Sequence, residues 1–553
     1  MLPHTLIECL ESRIAPAGLV AVEYDAATGR LTLTGDDEPN AFEILQVAPG
    51  VYRIEGQEDA GTLENTSIGT DKDRAMTFRK VTSVSIASHG GNDEIKLTNL
   101  RTLKDLTIDT GSGNDELELY NVSVAGNASI ATGDGADIVE TTGLSTVIGK
   151  NLSISDSEGG VVFHFGAGTA AVRGALTFTG GTGDDVLAVA EDTNLLVAKG
   201  IVFDGGLSGS NQIDVGGQAV VKIGRGSSGQ SMIFNGGSGV DRISVSGNAV
   251  SLLGSVEMNG GGGADLLDLD GVRVTVGKAP NGASITLAGG DGTDEIDIQG
   301  NQVRIAGSVV FDGGLGADFL DLTNARSLTV QGGINFMGGA GSDLLEIEAD
   351  LLRLLGGLSF TGGDDADAFR LAGDGTVAGA LDVDLGAAAA GSQSVTIRGI
   401  SGLVGKLKIN GSLTVNATGA AASTDVFRLT NVNVSGATTL TFGEGVSDVD
   451  MDNLVASGPL TIDTRGGADS VRIETDGVYG ASVFKAAASI LLGEGDDTLR
   501  MGQDSGNNRV LIMAQLIARG GGGTDVRNDL ENDNRLGRQG AVDEDEFETI
   551  SAS

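Results

Sequence analysis

Ser284-Ile285-Thr286-Leu287-Ala288-Gly289-Gly290-Asp291-Gly292-Thr293-Asp294-Glu295-Ile296-Asp297-Ile298 is the stretch that decides the fold. Counted from Asp294, apolar residues stand at −9 and −7, then at +2 and +4. That is strand alternation on both sides of a turn. The glycines between permit positive φ and close approach of backbones. The arrangement recurs along the chain. A Gly lies two residues before an Asp at Asp93, Asp115, Asp137, Asp185, Asp241, Asp265, Asp294, Asp318, Asp343, Asp469, Asp497 and Asp525. Most gaps run from 22 to 29 residues, and degenerate copies at Asn211, Asp367, Asp425 and Asp448 divide the longer ones.

Like slots hold like residues. Position −7 carries Phe178, Phe234, Met258, Leu287, Phe311, Phe336 and Phe360, and position +2 carries Leu187, Ile243, Leu267, Ile296, Leu320 and Leu345. A third short strand, such as Val272-Arg273-Val274-Thr275-Val276, fits between successive turns. A fixed period in this range signals a repeat architecture. The expectation is an all-β, right-handed parallel β-helix (a solenoid) of about 24–25 residues per coil, with side chains stacked in inward ladders. A helical bundle is excluded by the 90 Gly and by the lack of a sustained 3.6-residue apolar stripe. Six Pro in 553 residues suit a chain whose strands are mostly central.

Four segments follow. Residues 1–17 read as a leader or export-type segment, and 18–80, which alternate like strands but lack the G-x-D turn, as an N-terminal β cap. Residues 81–526 form the parallel β-helix. Residues 527–553, with Asp543-Glu544-Asp545-Glu546, read as a disordered acidic tail.

The chain carries 35 basic and 76 acidic residues, a formal charge of −41. Nothing in that balance compensates phosphate, so nucleic acid is not an expected partner. Bound cations or an extracellular setting are favoured. Cys9 is the only cysteine, so no intramolecular disulfide forms. No run of 18 apolar residues is present, and no transmembrane helix is expected.

Six turns match G-G-x-G-x-D-x-(apolar)-x in full, those at Asp185, Asp241, Asp265, Asp294, Asp318 and Asp343. This motif resembles the RTX nonapeptide of Ca²⁺-binding β-rolls. The resemblance implies Ca²⁺ held by these aspartates and by glycine-turn carbonyls, oxygen ligands of the kind that cation takes. The copies here lie about 24 residues apart rather than nine, so the turns line one edge only. The other role open to the same aspartates is turn order, with each carboxylate accepting backbone N–H groups. Leu10-Glu11-Ser12-Arg13-Ile14-Ala15 resembles the LEPR-x-L-L segment at the start of large bacterial surface proteins, with departures at Ser12 and Ala15. That resemblance implies a cell-surface protein.

Position +3 from the Asp faces outward. It holds Glu118, Glu140, Asp268, Asp297, Asp321 and Glu346, then Arg370, Arg428, Arg472 and Arg500. An acidic stripe giving way to a basic one would suit self-association, since Arg forks match carboxylates. The other partner expected is cell-envelope or matrix polysaccharide. For catalysis the chain offers His4, His89 and His164, no Trp and four Tyr. No Ser-His-Asp set assembles from these, and no G-K-[ST] follows any glycine turn. The expected function is a non-enzymatic extracellular or cell-surface module, structural, adhesive or spacer-like. A polysaccharide-active β-helix lyase or hydrolase is the alternative.

Overall fold

The computed structural model describes residues 18–57, 66–69, 75–166, 168–216, 220–224, 232–277, 282–400, 406–475, 480–502 and 509–529, together with 535–536, 542–545, 547 and 549–552. The chain is a parallel β-helix of about 17 coils, each of about 25 residues, and no helix occurs among the described residues. It divides into two compact units, Met1–Gly209 and Ser210–Ser553.

The first unit begins with an antiparallel cap. Strand β1 (Leu19–Asp25) pairs with β2 (Arg30–Thr34), and β3 (Ala41–Ala48) pairs with β4 (Val51–Gly56). β4 also takes β6 (Ala75–Arg79), which follows the short β5 (Ser67–Ile68). The cap joins the helix through two parallel pairings, β2 with Ser83–Ala87 and β3 with Glu94–Thr98. A first coil left bare would expose a row of unpaired N–H and C=O groups; β2 and β3 pair with that row.

Beyond the cap, each strand pairs with its copy in the next coil. Leu106–Asp109 lies in register on Ala128–Ala131, so Leu106 faces Ala128 and Ile108 faces Ile130. In the second unit Ile285, Val309, Ile334 and Leu358 follow one another layer by layer. The inward slots are as the period requires: Phe178 in the first unit, and Phe234, Met258, Leu287, Phe311, Phe336 and Phe360 in the second, are all buried. Phe178 stacks on Phe203 with ring centroids 4.4 Å apart and planes 14° apart. Phe311, Phe336 and Phe360 form a three-layer pile at 4.9 and 5.1 Å. Such offset stacking adds to the burial of large apolar rings.

Two expectations need correction. Asp448 does not occupy the aspartate slot of its coil. Ser447 faces Asp425 and donates its N–H to Asp469 Oδ1, while Asp448 stands one residue on and meets arginines. Asp448 has no glycine two residues before it, and the shorter local repeat shifts the slot by one. The segment 527–553, expected as a disordered acidic tail, contains strands Arg535–Leu536, Val542–Asp545 and Thr549–Ala552 in parallel register with the coil before them. The last coil offers unpaired backbone groups along its edge, and these residues supply the partners. The leader 1–17 lies outside the described residues.

Candidate functional site: a buried file of aspartates

The glycine turn creates a seat for a carboxylate. Around Asp294, a Cβ on Gly289 would stand 2.0 Å from Asp294 Oδ2, so only glycine leaves that oxygen its place. Gly292 runs at φ 149°, and a Cβ there would reach 1.6 Å from the carbonyl oxygen of Gly263 one layer away. The same clash with the following carboxylate recurs at Gly236, Gly260, Gly313 and Gly338, and at Gly180 in the first unit. The G-G-x-G-x-D spacing is therefore a steric recipe for folding an Asp back into its own turn.

Each carboxylate then spans a layer. Asp294 Oδ1 accepts the N–H of Asp265 at 2.9 Å, and the N–H of Asp294 donates to Asp318 Oδ1 at 2.8 Å. Asp241 N–H reaches Asp265, Asp318 N–H reaches Asp343, and Asp343 N–H reaches Asp367. In the first unit Asn40, Asp93 and Asp115 donate in turn to Asp93, Asp115 and Asp137, and Val161 N–H donates to Asp185 Oδ1 at 3.0 Å. The reason is register. The ladder pairs the N–H of Glu295 with the carbonyl of Asp265 and the N–H of Phe319 with that of Asp294. The turn N–H just before is left without a carbonyl, and the carboxylate of the neighbouring layer supplies its acceptor.

The six aspartates expected as metal ligands, Asp185, Asp241, Asp265, Asp294, Asp318 and Asp343, all belong to this file and are all buried. Burial pushes Asp185 and Asp265 up to about 7, and Asp294 and Asp343 up to about 6. Neighbouring carboxylates add to the rise, and the backbone donors oppose it. Asp241 and Asp318 are raised for the same first reason. Asp241 Oδ2 accepts the N–H of Gly237 at 3.0 Å, whereas Oδ2 of Asp265, Asp294, Asp318, Asp343 and Asp367 is buried with no hydrogen-bond partner. Each aspartate turn brings one carboxylate to the file, and among the described residues no group of three or more His, Cys, Asp or Glu side chains converges. A Ca²⁺ cage takes six to eight oxygens; here the Oδ1 atoms are already committed to backbone N–H groups.

A second ladder, of asparagines, was not foreseen. Asn99 and Asn121 sit at φ 53° and 52°, and Asn121 Nδ2 donates to Asn99 Oδ1 at 3.3 Å. In the second unit Asn431, Asn453 and Glu474 adopt the same left-handed corner, and Asn453 N–H donates to Glu474 Oε2 at 2.7 Å. Asn and Asp tolerate this region better than other side chains. The available signal was an apolar-x-Asn-apolar string repeated 22 residues apart, at Asn99 and Asn121 and at Asn431 and Asn453.

On the outer face of the second unit, Asp268, Asp297, Asp321, Glu346 and Arg370 do stand in consecutive register. Burial, with Asp321 and Asp268 adding, raises Asp297 to about 6. The basic continuation forms only in part: Arg472 faces Arg500, but Thr396 stands between Arg370 and Arg428. Asp450 takes the layer between Arg428 and Arg472, and both arginines pair with Asp448 and Asp450. Of the candidate catalytic histidines, His89 lies in a turn at φ 74°, and His164 Nδ1 rests 3.3 Å from Glu140 Oε1 on the outer face. His4 lies outside the described residues.

A scan against protein-family models matched none, and a search of curated proteins gave no significant match. No helix among the described residues is long and apolar enough to cross a membrane.

Proposed function

We propose that this chain is a non-enzymatic scaffold, a structural, adhesive or spacer-like module working at the cell surface or outside the cell. One observation carries the reading. The buried carboxylates, the groups most able to move protons near neutral pH, are bound to the backbone of the next layer rather than turned toward a cleft. Support also comes from the regular coils and from the two outward or turn-bound histidines. The acidic composition favours an extracellular setting. The reading predicts that the purified chain releases no reducing ends or unsaturated products from a panel of neutral and acidic polysaccharides. Turnover that survives repurification would overturn it.

Within that scaffold the aspartates act as turn staples. Ca²⁺ uptake is the competing reading, and the donor-free Oδ2 atoms of Asp265, Asp294, Asp318, Asp343 and Asp367 favour it. Calorimetric titration with Ca²⁺ separates the two. The staple reading expects no uptake and a melting temperature unmoved by chelator, and stoichiometric heat together with a chelator-dependent drop in melting would establish the cation.

A further inference from the structure

In the first unit one corner of each coil has a slot midway between two inward residues. Lys104, Gly126, Lys150, Gly174 and Lys199 occupy it in successive layers. Backbone bonds stack them directly: Gly126 N–H donates to Lys104 C=O at 3.0 Å, Lys150 to Gly126 at 2.9 Å, Gly174 to Lys150 at 2.7 Å and Lys199 to Gly174 at 3.0 Å. Arg173 supplies a cation in the layer where the slot itself is Gly174. Lys104, Lys150, Arg173 and Lys199 are all exposed. Among the described residues the ion pairs of this unit lie elsewhere, at Arg53–Glu55, Lys96–Glu118 and His164–Glu140, and Lys104 Nζ donates to the carbonyl oxygen of Thr28 at 3.2 Å.

The second unit shows that the fold does not require these cations. Its corresponding slot is glycine through six layers, Gly307, Gly332, Gly356, Gly379, Gly411 and Gly436, joined by the same N–H to C=O chain. A lysine in this slot is therefore a surface choice and not a backbone necessity. It is also set against the bulk charge of a chain at −41.

Three residues beyond the slot, the outward face carries a hydroxyl in successive layers as far as Thr177, and Val202 follows in the Lys199 layer. Thr32, Ser85, Thr107, Ser129, Ser153 and Thr177 are in unbroken register. Cations and hydroxyls thus run side by side, repeating with the ~4.8 Å strand spacing. Most residues next to the slot are small or amide-bearing, namely Ala125, Asn127, Gly149, Asn151, Ala175 and Ala198, whereas Lys104 stands between the exposed Leu103 and Asp105. The Lys104 end opens onto a groove of about 880 Å³ that adds Lys80 and Arg101.

We propose that this corner of the first unit binds a linear acidic polysaccharide, its carboxylate or sulfate groups on the cation file and its hydroxyls on the Ser/Thr file. An extended sugar chain presents anions and hydroxyls at a repeat set by its sugar units, which a solenoid rim can follow layer by layer. Single-stranded nucleic acid would call for aromatic platforms on which bases stack, and the residues flanking the file supply none. The inference deepens the scaffold reading by giving the scaffold a surface and a class of ligand.

The test titrates the full chain, at low salt, with oligogalacturonate (carboxylate only), heparin oligosaccharides (sulfated) and uncharged dextran. The wild type is expected to bind at least one acidic probe and not dextran. The variant K150Q/R173Q/K199Q should bind about tenfold or more weakly, with a shallower salt dependence. The control K408Q/K485Q, in the second unit, should bind as wild type, and all three proteins should melt alike. No binding of either acidic probe, undiminished binding by the triple variant, or equal competition by single-stranded DNA would overturn the proposal. Binding accompanied by cleavage would leave the surface standing and remove the scaffold reading, whereas absence of binding removes the surface alone.

Discussion

At the residue scale the aspartate of each turn does two jobs at once. It supplies an acceptor to a neighbouring layer's N–H, and it fills a seat that a glycine leaves open. Asp294→Ala should strand the Asp265 N–H and cost about 1–3 kcal/mol, the desolvation penalty of an unmet buried donor. Asp294→Asn retains an acceptor oxygen without the buried charge, so above pH 7 it should cost far less than the alanine. Urea unfolding of the two variants at pH 8 measures the difference, and equal losses would count against the hydrogen-bond role. Gly289→Ala places a methyl on the carboxylate of Asp294. It should cost about 1–3 kcal/mol by overpacking, and less in the Asp294→Gly background, where the carboxylate is gone. Most of the aspartate slots were legible in sequence, because G-x-D marks the turn wherever both residues are kept. Where the slot is filled by Val161 or Ser447 the mark is lost. Val161 and Ser447 still donate a backbone N–H, and the sequence motif records only the carboxylate.

At the scale of the element, a strand is stabilised by the layers on either side of it and by little else. Phe336 lies in the pile between Phe311 and Phe360. Phe336→Ala should cost about 3–5 kcal/mol. Hydrogen exchange should show the loss in Ile334–Ala340 and in the adjoining strands Val309–Leu315 and Leu358–Asp364, with strands several coils away unchanged. A loss spread evenly over the whole second unit would contradict nearest-neighbour stacking. The strands were legible because period-2 alternation repeats at a fixed offset from the Asp. The asparagine corners were not, because Asn appears in only a few layers and other layers close the same bend differently. The outer arginines misled for a related reason. Counting +3 from Asp425 and Asp469 skips the coil between them, and that coil brings Asp450 into the stripe.

For the molecule as a whole, the sequence disclosed the fold and withheld the chemistry. A period is a global property carried by many residues, whereas the surface proposed at the Lys104–Lys199 corner rests on three lysines that replace a small residue in the slot, with Arg173 beside it. Across both units, carboxylates raised to about 6–7 in the folded chain would titrate near 3.9 when unfolded. The folded state therefore holds protons more tightly. Charging the file weighs against folding at pH 8, and that burden lifts as pH falls through the folded values, levelling off below the unfolded one. The measurement that bears most directly on the file is thermal melting of the wild type and of D265N/D294N/D318N between about pH 5 and pH 8. The net charge of −41 is nearly the same in both proteins, so its self-repulsion is shared. The account predicts that wild-type melting rises on acidification and that the triple variant gives a distinctly flatter profile. A wild-type melting temperature that falls toward pH 5, or a variant that keeps the full wild-type slope, would contradict a buried, stacked file of carboxyl groups.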